Sequence, residues 1–216
     1  GNANILKEIT REELLKAVGC SSSVLKAVCE RGLLEEYEKT VDRIPTASIP
    51  ASLILQPLSD AQQTAMLQIK DVWREKDVCL LHGVTSSGKT EIYIHLINEV
   101  LAQGKQVLYM LPEIVLTSQL TERLRKVFGD RLGVYHSRYT DAERVEVYRK
   151  QISDTPYDII VGVRSSVLLP FHNLGMVIID EEHETSFKQT EPAPRYHARN
   201  VALVMARMSG AKTLLG

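Results

Sequence analysis

Val78-Cys79-Leu80-Leu81-His82-Gly83-Val84-Thr85-Ser86-Ser87-Gly88-Lys89-Thr90 is the stretch that decides the fold. An apolar run, a set of small residues framed by glycines and a helical pattern from residue 90 read as strand, loop and helix in that order. From Gly83 to Thr90 the loop obeys G-x4-G-K-[ST]. Chance produces that pattern on the order of once in a hundred chains of this length. Its small residues let successive backbone N–H groups converge on a phosphate at the positive end of the helix that follows. Lys89 adds a point charge for the β- and γ-phosphates, and the Thr90 hydroxyl suits Mg²⁺. Gly83, Val84, Thr85, Ser86, Ser87, Gly88, Lys89 and Thr90 are therefore the expected nucleotide-binding residues.

Working outward, apolar runs alternate with amphipathic ones. Strands are expected at Val78–Gly83, Gln106–Met110, Leu132–Tyr135, Asp158–Val163, Met176–Ile179 and Lys212–Leu215, and helices over 90–103, 114–128, 140–152 and 195–209. Near-continuous apolar strands alternating with helices predict an α/β fold with a parallel sheet covered on both faces. Ligands of such sheets bind beyond the carboxyl ends of the strands. There, Leu174-Gly175-Met176-Val177-Ile178-Ile179 runs straight into Asp180-Glu181-Glu182-His183. Asp180 is expected to hold the Mg²⁺ shell and Glu181 to orient the attacking water. The acids beside His183 favour hydrolysis over a kinase, which needs an acceptor site, and no base-specific motif of a GTPase is present.

The 216 residues are 44% hydrophobic and 25% charged, which excludes disorder, collagen and coiled coil as the main description. Lys plus Arg 26 against Asp plus Glu 27 gives a net charge of −1, and residues 1–43 share that balance with 7 basic and 8 acidic side chains. Any nucleic-acid partner must then be argued from placed residues rather than bulk charge. Cys20, Cys29 and Cys79 are too few for a disulfide framework or a Cys-rich zinc site and are expected as small core residues. No run of 18 apolar residues and no signal pattern occurs, so a soluble, reduced, cytoplasmic chain without membrane contact is expected.

Residues 10–43 read as a separate module. Thr10 with Glu13 fits a capping box opening a helix from Arg11 to about Val18, which Gly19 ends. Ser21 to Ser23 offer caps for a second helix through Cys29, with Gly32 at C′, and Leu33–Glu38 is strand-like. Two short helices and a strand suggest a winged helix-turn-helix. Its second helix carries only Lys26 and Arg31 as cations before an acidic stretch, so a protein or inter-domain contact suits it better than a DNA groove. Pro45, Pro50 and Pro57 mark a linker, giving the expected division 1–43, 44–57 and 58–216.

The run Asp180-Glu181-Glu182-His183 resembles the DEXH-type box of superfamily 2 helicases. Gly83–Glu91 (GVTSSGKTE), Leu111–Gln119 (LPEIVLTSQ), His136-Ser137, Gly162–Phe171 (GVRSSVLLPF), Asp180–Gln189 (DEEHETSFKQ) and Arg195–Arg199 (RYHAR) resemble, more narrowly, the primosomal replication-restart helicases. The likeness runs in order from about Leu58 to the end, and a winged-helix domain precedes the helicase lobes in that family. It implies a RecA-like ATP-binding lobe and an ATP-dependent 3′-to-5′ DNA helicase that acts at stalled or repaired forks. ATP and Mg²⁺ are the implied cofactors, with catalytic roles for Lys89, Asp180 and Glu181.

The same likeness makes Gln62 the adenine-reading glutamine, His183 a coupler of nucleotide state to DNA contact, and Phe187 and Tyr196 part of an aromatic-rich relay loop. Exposed aromatics there would stack on bases. Thr117, Gln119, Ser137, Arg164 and Ser165 fall on segments that match DNA-facing motifs; short polar side chains and amides grip phosphates without a basic patch. Taken alone, these five read as caps and surface polar groups rather than as DNA contacts. Ala193-Pro194 stand where some members carry a tryptophan, and Val163 where a threonine is usual.

The implied partners are forked or single-stranded DNA, single-stranded DNA-binding protein and primosome loading proteins. A second lobe with an arginine finger and Zn²⁺-binding cysteines is expected in a longer polypeptide, of which this chain is the front module and first lobe. Another superfamily 2 translocase, from restriction or repair, and a non-enzymatic fork- or partner-binding module are the alternatives.

Overall fold

The computed structural model describes residues 9–36, 55–83 and 88–216, and the chain divides into two compact units, Gly1–Val41 and Asp42–Gly216. In the first unit, α1 (Arg11–Val18) opens on the expected capping box: Thr10 Oγ1 accepts from Glu13 N–H, and the Glu13 carboxylate accepts from Thr10 N–H. Gly19, left-handed at φ 66°, closes it. α2 (Ser22–Glu30) follows, and Ser21 caps it by backbone alone, its hydroxyl sharing a hydrogen bond with Ser23.

Leu25 is the only fully buried residue among those described in this unit. Cys20 and Cys29 are half-buried, which corrects their expected core position. Two short helices have too little facing surface to enclose them. Residues 33–36 form bend and coil rather than strand, while Tyr37 and Glu38, like the linker over 44–54, lie outside the described residues.

The second unit is built on a six-stranded parallel sheet. Its strands are β1 (Val78–Leu80), β2 (Gln106–Met110), β3 (Leu132–Tyr135), β4 (Ile159–Gly162), β5 (Leu174–Ile179) and β8 (Lys212–Leu215), in the order β1-β8-β5-β2-β4-β3. β2, β4 and β5 are buried along their whole length, as strands covered on both faces must be. β1 is shorter than expected and lies at the sheet edge, so Cys79 is buried while Val78 and Leu80 are exposed.

Alternate residues of each strand feed two apolar layers. Val107, Tyr109, Ile159, Val161, Met176 and Ile178 pack with α3 (Asp60–Glu75), α4 (Lys89–Ala102) and α5 (Ser118–Phe128). Leu108, Met110, Ile160, Val177 and Ile179 pack with α6 (Asp141–Gln151) and α7 (Ala198–Ser209). Ala198, Ala202 and Ala206 recur every fourth residue of α7 and turn one small-residue face to the sheet.

Two helices start later than the pattern suggested, each for a local reason. The Thr117 hydroxyl accepts from Leu120 N–H and caps α5 at that point. Tyr196–His197 (β7) pairs antiparallel with Lys188–Gln189 (β6), delaying α7 to Ala198. No helix among the described residues is long and apolar enough to cross a membrane.

Candidate functional site

Because every strand of the large sheet runs the same way, the loops after β1, β2, β3, β4 and β5 share one edge, with Gly216 after β8. That edge gathers Gly83, Gly88, Lys89 and Thr90 with Asp180 and Glu181. Val84, Thr85, Ser86 and Ser87 lie outside the described residues. Gly88 stands at the N-terminus of α4 in the left-handed region, φ 81°, and no side chain among the described residues caps that helix end. A Cβ on Gly88 would lie 2.6 Å from Nε2 at the movable end of Gln62, so it is the left-handed backbone that calls for glycine.

Gln62 does two things. Its Oε1 accepts from Ser59 N–H, completing the capping box of α3, and its Nε2 donates to the Gly88 carbonyl at 3.1 Å. A residue assigned to the adenine is thereby tied to the phosphate loop itself.

Lys89 Nζ donates to the Gly83 carbonyl at 3.1 Å and lies 4.0 Å from Asp180 Oδ1. Asp180 is 8% exposed and accepts from Tyr93 Oη on Oδ1 (3.1 Å), from Tyr109 Oη on Oδ2 (3.1 Å) and from Glu181 N–H on Oδ1 (3.2 Å). Burial pushes both phenols well above the ordinary tyrosine range, and the Asp180 charge pushes them further, so both remain proton donors. A hydroxyl, a carboxylate, a lysine and an uncapped helix N-terminus at one edge are the donor set that Mg²⁺ with a polyphosphate requires, so these residues fit the group.

Glu181 adopts φ 50°, the only non-glycine residue with positive φ among those described. Such a conformation is sparsely populated for side chains with a Cβ. The turn is held on both sides: Glu184 N–H donates to the Glu181 carbonyl, and Glu182 N–H to that of Gly216. Glu181 Oε2 lies 3.8 Å from Nε2 of His183, whose side chain is 69% exposed. Arg199, at the start of α7, pairs with the Glu182 carboxylate and so ties the helix after the β6–β7 hairpin to the acidic turn.

The residues expected to face DNA lie on several loops of the same edge. Thr117 caps α5 and Gln119 is exposed in its first turn. Ser137 donates to the Glu113 carboxylate, bridging the loops after β3 and β2. Arg164 donates to the carbonyls of Ser186 (3.3 Å) and Lys188 (3.1 Å), fastening the turn after β4 to the hairpin, while Ser165 is half-buried beside it.

Phe187 is 1% exposed and packs in the α7-side layer, which corrects the expectation of an exposed stacking ring. Its neighbours are apolar, and burying a phenyl ring outweighs leaving it in solvent. Tyr196 is half-buried; its hydroxyl is enclosed near Arg164 without a well-formed hydrogen bond among the described residues. Gln189 donates to the carbonyls of Pro192 and Pro194 and closes the hairpin loop.

Sequence reasoning missed Tyr93, Tyr109, Glu113 and the Glu182–Arg199 and Glu91–Arg123 pairs. A signal existed for the tyrosines: a phenol inside an otherwise aliphatic run, as in QVLYM and IYIHLI, must find a partner for its hydroxyl.

Comparison with known proteins agrees with this architecture. Residues 59–213 match the DEAD/DEAH box helicase family, and residues 1–41 match the winged helix domain of PriA helicase from Bacteroidota. The chain is 42% identical over 212 residues to the replication restart protein PriA of Bacillus subtilis, covering 97% of this chain and 26% of that protein. To the PriA of Synechocystis it is 40% identical over 210 residues, covering 97% and 25%. It thus spans about a quarter of the length of these curated relatives.

Among solved structures, the SWI2/SNF2 ATPase core of Sulfolobus solfataricus in complex with dsDNA superposes with a TM-score of 0.51. At 16% identity over 78% of this chain and 33% of that one, this is a likeness of fold. A parallel sheet whose carboxyl edge joins a G-x4-G-K-T loop to a DEEH turn, matched from end to end by these relatives, makes this chain a member of the DEAD/DEAH box helicases, in their PriA line.

Proposed function

We propose that this chain is the ATP-binding lobe, with a preceding winged-helix module, of an ATP-dependent DNA helicase that restarts replication at stalled or repaired forks. The observation that carries the reading is the approach of Lys89 to Asp180 at 4.0 Å, on the sheet edge where Gln62 reaches Gly88. Similarity to replication restart proteins supports the biological setting.

In this reading the N–H groups at the start of α4 and the loop from Gly83 to Thr90 bind the phosphates of ATP, and Gln62 turns toward the adenine. Thr90 and Asp180 hold Mg²⁺, which when bound offsets charge developing on the phosphoryl oxygens. Lys89 leaves the Gly83 carbonyl for the β- and γ-phosphates. Glu181, with its carboxylate aimed by a left-handed backbone, orients the attacking water.

Thr117, Gln119, Ser137, Arg164 and Ser165 contact single-stranded or forked DNA along the same edge. The wiring Arg164–hairpin–Arg199–Glu182, with His183 and Tyr196 alongside, carries that contact back to the acidic turn. Phe187 takes part as the buried anchor of the hairpin rather than as a stacking ring.

The division 1–43, 44–57 and 58–216, movement 3′-to-5′ in the cytoplasm, a Zn²⁺ site in the rest of the polypeptide, and docking of single-stranded DNA-binding protein and primosome loading proteins complete the proposal. Hydrolysis rates of the longer protein, with and without forked DNA, test it. Strong stimulation by forks is expected, and equal rates would overturn the reading. This chain alone is expected to bind Mg-nucleotide weakly and turn it over very slowly, because the charge-stabilising arginine comes from a second lobe.

A further inference from the structure

Tyr93 and Tyr109 belong to different elements, α4 and β2, yet both hydroxyls end on one carboxylate. Both rings are fully buried and meet edge to face, centroids 5.6 Å apart at 73°. Phenylalanine would fill the same space, so packing alone accounts for the rings and leaves the hydroxyls to be explained. A buried hydroxyl costs stability unless it is hydrogen-bonded, and a single carboxylate satisfies both here.

The arrangement has a consequence for Asp180. A carboxylate offers about four lone-pair positions. Oδ1 accepts from Tyr93 and from Glu181 N–H, and Oδ2 accepts from Tyr109, which leaves one position, on Oδ2. Three donors on separate elements, the second turn of α4, the end of β2 and the turn after β5, therefore fix the rotation of the carboxylate and leave one lone pair free of them. The register that pairs Tyr109 with Ile178 and Met110 with Ile179 brings β2 alongside the Asp180 end of β5. The backbone of Gly216 passes close to the other phenol, where a Cβ would fall 1.9 Å from Tyr93 Oη.

We infer that Tyr93 and Tyr109 are positioning residues that orient Asp180 for Mg²⁺, so that the metal dependence of nucleotide binding is set by two phenols that touch neither metal nor nucleotide. This rests on the nucleotide reading given above. Outer partners of metal-binding groups commonly govern metal affinity by about tenfold or more. Tyr109→Phe should have the larger effect, because Oδ2 has no other donor among those described, whereas Oδ1 keeps Glu181 N–H when Tyr93 is changed.

The test measures ATP affinity of the 216-residue chain by calorimetry in Mg²⁺ and again in EDTA, together with melting temperature. The expected result is that Tyr109→Phe loses about tenfold of the gain in affinity that Mg²⁺ brings, and Tyr93→Phe a smaller share, with metal-free affinity unchanged. If Tyr109→Phe does not fold, Tyr93→Phe carries the test with the same sign. An unaltered Mg²⁺ gain in the folded variants, with only the melting temperature lowered, would overturn the inference while leaving nucleotide binding intact. Failure of the unmodified chain to bind ATP with Mg²⁺ would overturn both.

Discussion

Asp180 and His183 are three residues apart in one motif and stand in opposite surroundings. Asp180 is buried and grasped by three donors from three elements, with Lys89 close by. His183 is largely in solvent and touches one carboxylate at 3.8 Å. The same contrast separates the acidic strand end from the loops around it. Ser137, Arg164 and Arg199 spend their polar groups on neighbouring loops rather than on a core. A group that must stabilise charge during a reaction gains from being held beforehand in a dry setting. A group that must meet a macromolecule gains from staying within reach of it. The hairpin lies between the two: anchored by Phe187 in the core, it presents exposed Arg195 and half-buried Tyr196.

The largest expected effect strikes the held side. Lys89→Ala in the longer protein should lower ATP hydrolysis by about a thousandfold or more and abolish unwinding, while fork binding measured by gel shift persists. Equal loss of fork binding would mean the loop is structural.

Phe187→Ala tests the anchor. A buried phenyl lost to a cavity costs about 3–5 kcal/mol, so the melting temperature should fall by about 10 °C. Retained stability would restore the stacking role. Next comes Gly88→Ala, which forces a left-handed alanine against Gln62 and should cost about 1–2 kcal/mol along with ATP affinity. Unchanged denaturation and binding curves would refute the need for glycine.

A double-mutant cycle on Glu182 and Arg199, each to Ala, should show a coupling of about 1 kcal/mol, since the pair is partly screened by solvent. No coupling would break the wiring between hairpin and acidic turn.

The smallest effect is a pH dependence. Partial burial and nearby Arg138 hold His136 below its ordinary pKa of 6.5, against the weaker opposing pull of Glu113 and Glu143; Arg144 adds slightly to the lowering. Its Nδ1 accepts from Arg138 N–H, which only the neutral ring carrying its proton on Nε2 allows. Between the folded and unfolded values the unfolded chain binds more protons, so stability rises with pH across that window and is lost on acidification below about 6.5. His136→Asn should flatten part of that slope in melting curves, and an identical slope would remove His136 as its source.

Much of this was legible beforehand because it is local. The capping box at Thr10, the apolar strands and the glycine–lysine loop are set by neighbours within four residues. The edge position of β1 was hidden, because an apolar run of four residues reads the same at the middle of a sheet as at its margin. Phe187 was misjudged for a related reason: a ring amid polar residues looks exposed until a helix of alanines comes to cover it.

The alternation of strands and helices, the phosphate loop and the acidic strand end follow from local pattern, since each depends on contacts within a few residues of chain. Which side chains hold Asp180 depends instead on long-range packing. Tyr93 and Tyr109 lie 87 and 71 residues from it, and the parallel register of β2 on β5, together with α4 packed across both, brings them to one carboxylate. Contacts at such separations are set by packing, for which no local pattern is required.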